Sequence, residues 1–113
     1  MAAGGRRTRP TASDLEVSFF LAPQAEEELA DALAFYQDQA SPSVAASFLA
    51  EFARIARLIA EHPGIGTPTT GARRIMPMPR FPYSLIYRVE TDVVRIGAVA
   101  HQSRRPGYWR AQR

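Results

Sequence analysis

YSLIYRVETDVVRIGAVAH, residues 83–101, decides the fold. Two runs rich in Val, Ile and Tyr, Tyr83–Val89 and Val93–His101, flank Glu90-Thr91-Asp92, the composition of two β-strands joined by a compact hairpin. In the second run a period of two puts Val94, Ile96, Ala98 and Ala100 on one face and Arg95, Gly97, Val99 and His101 on the other. Just upstream, Arg73 to Arg80 carries Pro77 and Pro79 two apart, so both missing N–H groups face the same way; this predicts an edge strand or irregular chain.

Further back, before the Gly64-Ile65-Gly66 turn, the period becomes helical. Ser41-Pro42 is a cap followed by proline, and Val44, Phe48, Phe52, Ile55 and Ile59 form an apolar stripe that ends before Pro63. Pro23 and the acids Glu26, Glu27 and Glu28 start another helix over about 23–39, whose inward stripe is Ala25, Leu29, Ala32, Leu33 and Tyr36. Leu15, Val17, Phe19 and Leu21 alternate with Glu16, Ser18 and Phe20, as in an N-terminal strand. The order is β-α-α-β-β-β, an α+β fold in which the N-terminal strand precedes a helical hairpin packed on one face of a small antiparallel sheet. The opposite face is expected to stay open, with Arg95 and His101 directed toward it. Phe35 falls seven after Glu28 and Leu58 seven after Glu51, so each is expected on its helix's charged face, where it is a candidate partner contact.

With 113 residues, 46% hydrophobic and 22% charged, the chain has room for one domain, read here as 14–113. Residues 1–13 add three arginines among Gly, Ala, Thr and Pro without an apolar run, which reads as a flexible Arg-rich tail rather than a signal peptide. Charge interrupts every apolar stretch well before 18 residues, so no membrane span is expected and a cytoplasmic location is. The absence of cysteine excludes disulfides and thiolate chemistry. All fourteen basic residues are arginine, so lysine-based covalent or general-base mechanisms are excluded too. Charge is divided along the chain: residues 14–62 hold nine acids and two arginines, residues 63–113 two acids and nine arginines.

Two histidines 39 residues apart give no metal-ligand spacing, and no glycine-rich loop opens a helix, so neither a metal nor another cofactor is expected. Metal-free RNA cleavage needs a base, an acid and fixed positive charge on the phosphate. Arg74, Arg80, Arg95, Arg104 and Arg105 are candidate phosphate contacts, and Tyr83, Tyr108 and Trp109 candidate stacking platforms. His101 is the one proton carrier of the basic half, since His62 suits a helix C-terminus. A nuclease site would therefore be His101, Arg74 and Tyr108. The remaining carboxylates of that half, Glu90 and Asp92, sit in the turn.

RRIMPMPRFPYSLIYRVETDVVRIGAVAHQSRRPGYW, residues 73–109, with a strand, a proline-initiated helical hairpin and HPGIG before it, resembles the RelE/ParE superfamily of bacterial toxins, closest to its ParE-like, plasmid-stabilisation branch. The resemblance covers about residues 15–110. Phe81-Pro82-Tyr83 with Tyr87, and Ala98-Val99-Ala100-His101 with Arg104, Arg105, Pro106, Tyr108 and Trp109, carry it most specifically. It implies a type II toxin–antitoxin operon, growth inhibition, and neutralisation by a cognate antitoxin in a hetero-oligomer. RelE-like ribosome-dependent endoribonucleases rely on lysines with arginine and tyrosine, and relatives on a carboxylate–histidine pair; this chain has no lysine. The ParE branch implies poisoning of DNA gyrase without turnover, for which Arg74, Arg80, Arg95, His101, Arg104, Arg105, Tyr108, Trp109 and Arg110 would be target contacts.

Antitoxin contacts are expected at Phe35, Leu58, Arg74 and Arg104, through strand addition at an edge or a helix laid in a groove. A plain nucleic-acid binder is the remaining alternative. No reader motif supports it, and the acidic helical hairpin would be repelled by a duplex.

Overall fold

The computed structural model describes residues 18–103. The expected tail 1–13, the strand positions Leu15 and Val17, and Arg104, Arg105, Tyr108, Trp109 and Arg110 lie outside the described residues. The elements are β1 (Ser18–Leu21), α1 (Pro23–Gln39), α2 (Pro42–Glu61), β2 (Thr67–Pro68), β3 (Arg74–Pro77), β4 (Tyr83–Glu90) and β5 (Val93–His101). Both helices have proline in the first turn, where the absent N–H costs nothing, and Ser41 Oγ caps α2 by accepting from the Val44 N–H at 3.1 Å.

The five strands lie in the order β1-β5-β4-β3-β2. Three neighbouring pairs are antiparallel, while β1 pairs parallel with β5, with Phe19 opposite Val94 and Leu21 opposite Ile96. The parallel pair is possible because the helical hairpin supplies a long crossover between β1 and the rest of the sheet. β3 is not an edge strand over its first half, because Thr67 and Pro68 pair with Ile75 and Arg74 on its outer side. The chain returns through a short turn at Thr70–Ala72, where Gly71 takes φ 70. That conformation suits glycine.

The helices cover one face of the sheet. Phe48, Phe52, Ile55 and Ile59 of α2 and Ala25 and Ala32 of α1 pack with Leu85, Tyr87, Val94, Ile96 and Val99. Phe48 lies at 5.2–5.3 Å centroid distance from Phe81, Tyr83 and Tyr36. These edge-to-face and tilted ring pairs fasten the loop before β4 to both helices. Ile86, Ala98 and Ala100, with Ile75, form a separate small cluster. Register puts this cluster on the opposite face, so the alternation of β5 must break.

The break is at Gly97. Ile86 pairs with Ala98 and Tyr87 with Ile96, leaving Gly97 as an extra residue, a β-bulge in β5. Before it Val94 and Ile96 face the helices; after it Val99 and His101 do. Uninterrupted alternation had put His101 and Val99 on the open face with Arg95. The bulge turns them to the helix side, and only Arg95 keeps its expected direction.

At the β4–β5 turn Thr91 has φ 54, a left-handed conformation that crowds a β-branched side chain. Thr91→Asn is expected to raise stability by about 0.5–1 kcal/mol, roughly 3–6 °C in Tm. Thermal unfolding of the two chains tests this.

Candidate functional site

Arg74 and Tyr87 stand opposite each other in the β3–β4 ladder and project to the helix side. There they hold the loop that follows α2. The Tyr87 hydroxyl donates to the Pro63 carbonyl at 2.7 Å and accepts from the Gly66 N–H at 2.9 Å. Arg74 Nη1 donates to the Gly64 and Gly66 carbonyls at 3.1 and 2.6 Å. Burial raises the Tyr87 phenol above its usual value, opposed in part by the Gly66 N–H and by the Arg74 charge. Gly66 is required: a Cβ there would lie 2.7 Å from the Tyr87 hydroxyl oxygen and 3.0 Å from the Ile75 carbonyl. Arg74, expected as a target and partner contact, is thus a latch on its own loop.

His101 stands opposite Tyr83, and their rings meet edge to face at 5.0 Å. His101 Nδ1 accepts from the Ser103 backbone N–H at 3.1 Å and lies 2.7 Å from Ser103 Oγ. A backbone N–H can only donate, so the Nδ1 lone pair is occupied and the neutral ring carries its proton on Nε2. The ring lines a cleft of about 330 Å³ between α1 and the ends of β4 and β5. Glu28, on the same wall, accepts from the Val99 N–H at 2.8 Å and from Gln24 Nε2 at 3.1 Å. β1 ends opposite Ile96, so Glu28 meets an outer-edge amide of β5 beyond the reach of that strand.

Arg95 lies on the open face, in the cross-strand position next to Phe20 on one side and Arg88 on the other. Glu90 bridges the two arginines, at 2.8 Å from Arg88 and 4.0 Å from Arg95. Arg80 is exposed in the loop between β3 and β4. Phe35 is exposed as expected, at 55%, whereas Leu58 is half-buried. The described candidates therefore do not form one cationic patch: Arg74 and His101 lie on the helix side and Arg95 on the other. Arg74 and His101 are themselves separated by four positions of β4, roughly 13 Å along the strand.

A family model described as the ParE toxin of the type II toxin-antitoxin system, parDE, matches residues 19–106. The chain belongs to the ParE toxin family. A solved structure titled "Chromosomal ParDE TA system from P. aeruginosa" shares the fold, with a TM-score of 0.69 and 18% identity over 75% of this chain and 95% of that one. None of the curated proteins matches in sequence.

Within this ParE-family chain, sequence reasoning passed over Glu28, Tyr87 and Gly66 as site-building residues. Gly66 was visible only as a turn glycine, and Tyr87 as a strand aromatic that shares in the family resemblance, and nothing in their spacing reveals the hydrogen bond between them. Arg88 was legible in principle, since alternation puts it beside Arg95. Among the described residues no helix is long and apolar enough to cross a membrane.

Proposed function

We propose that this type II toxin arrests growth in the cytoplasm by docking on DNA gyrase so that cleaved DNA accumulates, without chemical turnover of its own, and that a cognate antitoxin neutralises it. The observation that carries the reading is the engagement of both described candidates for RNA cleavage. The Nδ1 lone pair of His101 is taken by Ser103, and Nη1 of Arg74 by two loop carbonyls. In this arrangement Nδ1 of His101 is turned to Ser103 rather than to the cleft, and Arg74 serves a loop far from it. Docking then falls to the arginine-aromatic segment Arg104, Arg105, Tyr108, Trp109 and Arg110, the residue types that most often anchor interfaces. Arg80 and the Arg88–Glu90–Arg95 group of the open face stand as secondary contacts.

Inducing the chain in cells tests the proposal. Broken chromosomal DNA with filamentation supports gyrase poisoning, and messenger RNA cut on ribosomes supports the RelE-like alternative. His101→Gln gives a sharper reading. Loss of a general base costs about 10²–10⁴-fold in rate, whereas a docking toxin should keep its growth inhibition within about twofold.

A further inference from the structure

Near the end where β5 stops, both central strands are apolar on their two faces. Leu85, Ile86 and Tyr87 follow one another in β4, and Ala98, Val99 and Ala100 in β5. Such unbroken runs suit strands covered on both sides, since a strand with one wet face alternates with polar residues. Exposure agrees. On the face turned away from the helices Ile86 is 2% exposed, Ala98 1% and Ala100 4%, values that a bare sheet face would not give an isoleucine. The helices lie on the other face, and among the described residues the apolar neighbour of this cluster is Ile75, in the same sheet. Towards the β4–β5 turn the same face changes character, to Arg88, Arg95 and the exposed Phe20. Arg95 leans over Gly97, its Nη1 3.5 Å from the place a Cβ would take, and so borders the apolar patch.

We propose that this patch is the seat of the chain's own C-terminal segment, residues 104–113, with the Trp109 indole laid across Ile86, Ala98 and Ala100. Position favours that end of the chain. β5 stops at His101, about 10 Å beyond Ala98, and the six residues from Ser103 to Trp109 reach up to about 20 Å. β1 begins opposite Val93, about 16 Å from Ala98, so the residues before it join the sheet at its far end. Side-chain size favours the same occupant: two alanines beside an isoleucine form a shallow bed, and an indole brings about 150–250 Å² to bury, with the Arg95 guanidinium at its rim. Neighbours in an extended segment alternate, so seating Trp109 turns Tyr108 and Arg110 outward. Trp109 then fastens the segment to its own sheet and leaves the target contacts to Tyr108 and the arginines. A segment held in place before its target arrives is spared part of the ordering cost of binding. The seat belongs to the free chain, and it holds or fails independently of the gyrase assignment.

Trp109 is the one tryptophan of the chain, so its ring signals need no sorting. In a NOESY spectrum of the full chain, the indole protons should show cross-peaks to the methyl groups of Ile86, Ala98 and Ala100. Trp109→Ala should lower Tm by about 5–10 °C, and Tyr108→Ala by less than about 2 °C. Four results would each overturn the proposal: indole cross-peaks to helix-side residues such as Phe35 and Val99 instead, cross-peaks to the patch from Leu15 or Val17, a dimer in which the patch meets a second copy, or an unchanged Tm for Trp109→Ala.

Discussion

Gly66→Ala should lower the unfolding free energy by about 2–4 kcal/mol, a large part of the 5–15 kcal/mol available to a domain of this size. The added methyl would lie 2.7 Å from the Tyr87 hydroxyl oxygen, 2.9 Å from its ring and 3.0 Å from a backbone carbonyl. The ring is 1% exposed and packed among core side chains, so it cannot swing aside without opening the core. Either the loop lifts, breaking the bonds to Pro63, Gly64 and Gly66, or the β3–β4 ladder shifts. Tyr87→Phe should cost less, about 1–3 kcal/mol, because it removes the two hydroxyl hydrogen bonds without introducing a clash.

The two variants also differ in pH dependence. The folded-state value of Tyr87 is raised above its ordinary 10.0, so the fold holds the phenol proton more tightly than the unfolded chain does. Its contribution is fully present below about pH 10 and is lost as pH rises through the folded value. Tyr87→Phe should therefore show a flatter fall of stability above pH 10 than the parent, while Gly66→Ala keeps the phenol and its alkaline dependence. Urea unfolding at pH 8 and at pH 11 separates them.

Arg104→Glu combined with Arg105→Glu is expected to abolish growth arrest, restoring colony formation on induction to the level of an uninduced culture. The reversal exchanges two guanidiniums for two carboxylates on the segment proposed to dock, and like-charge juxtaposition in an interface costs several kcal/mol. The Tm of the double variant is expected to stay within about 2 °C of the parent, which separates a loss of docking from a loss of folding. Arg74→Ala is a poorer probe of docking, since it first loosens the 63–66 loop. A toxin that survives the double reversal at full potency would remove the terminal segment from the docking surface.

The helices were legible almost to the residue, because proline at the first turn and the return of apolar side chains every three or four positions are local signals. The β4–β5 hairpin was legible for the same reason. What escaped depends on pairing. Thr67–Pro68 is too short to carry a period, and the parallel partnership of β1 with β5 joins segments more than seventy residues apart. The bulge at Gly97 carried a faint signal, a glycine inside a strand pattern. Passing over it inverted the assignment of His101 from the open face to the helix side. Glu28 and Glu51 were assigned to solvated helix faces. Glu28 instead bonds the β5 backbone, and Glu51 is only 6% exposed, paired with Arg54 at 3.0 Å. A helical wheel cannot anticipate which strand edge or neighbour lies over a charged position.

The most direct measurement of the central claim, a toxin that binds and does not cleave, is a supercoiling reaction with purified gyrase, relaxed plasmid, ATP and the full chain. Linear plasmid should accumulate as the chain is added, and His101→Gln should be as effective as the parent. Unimpaired supercoiling without linear product, together with messenger RNA cleavage on translating ribosomes that His101→Gln abolishes, would contradict the account.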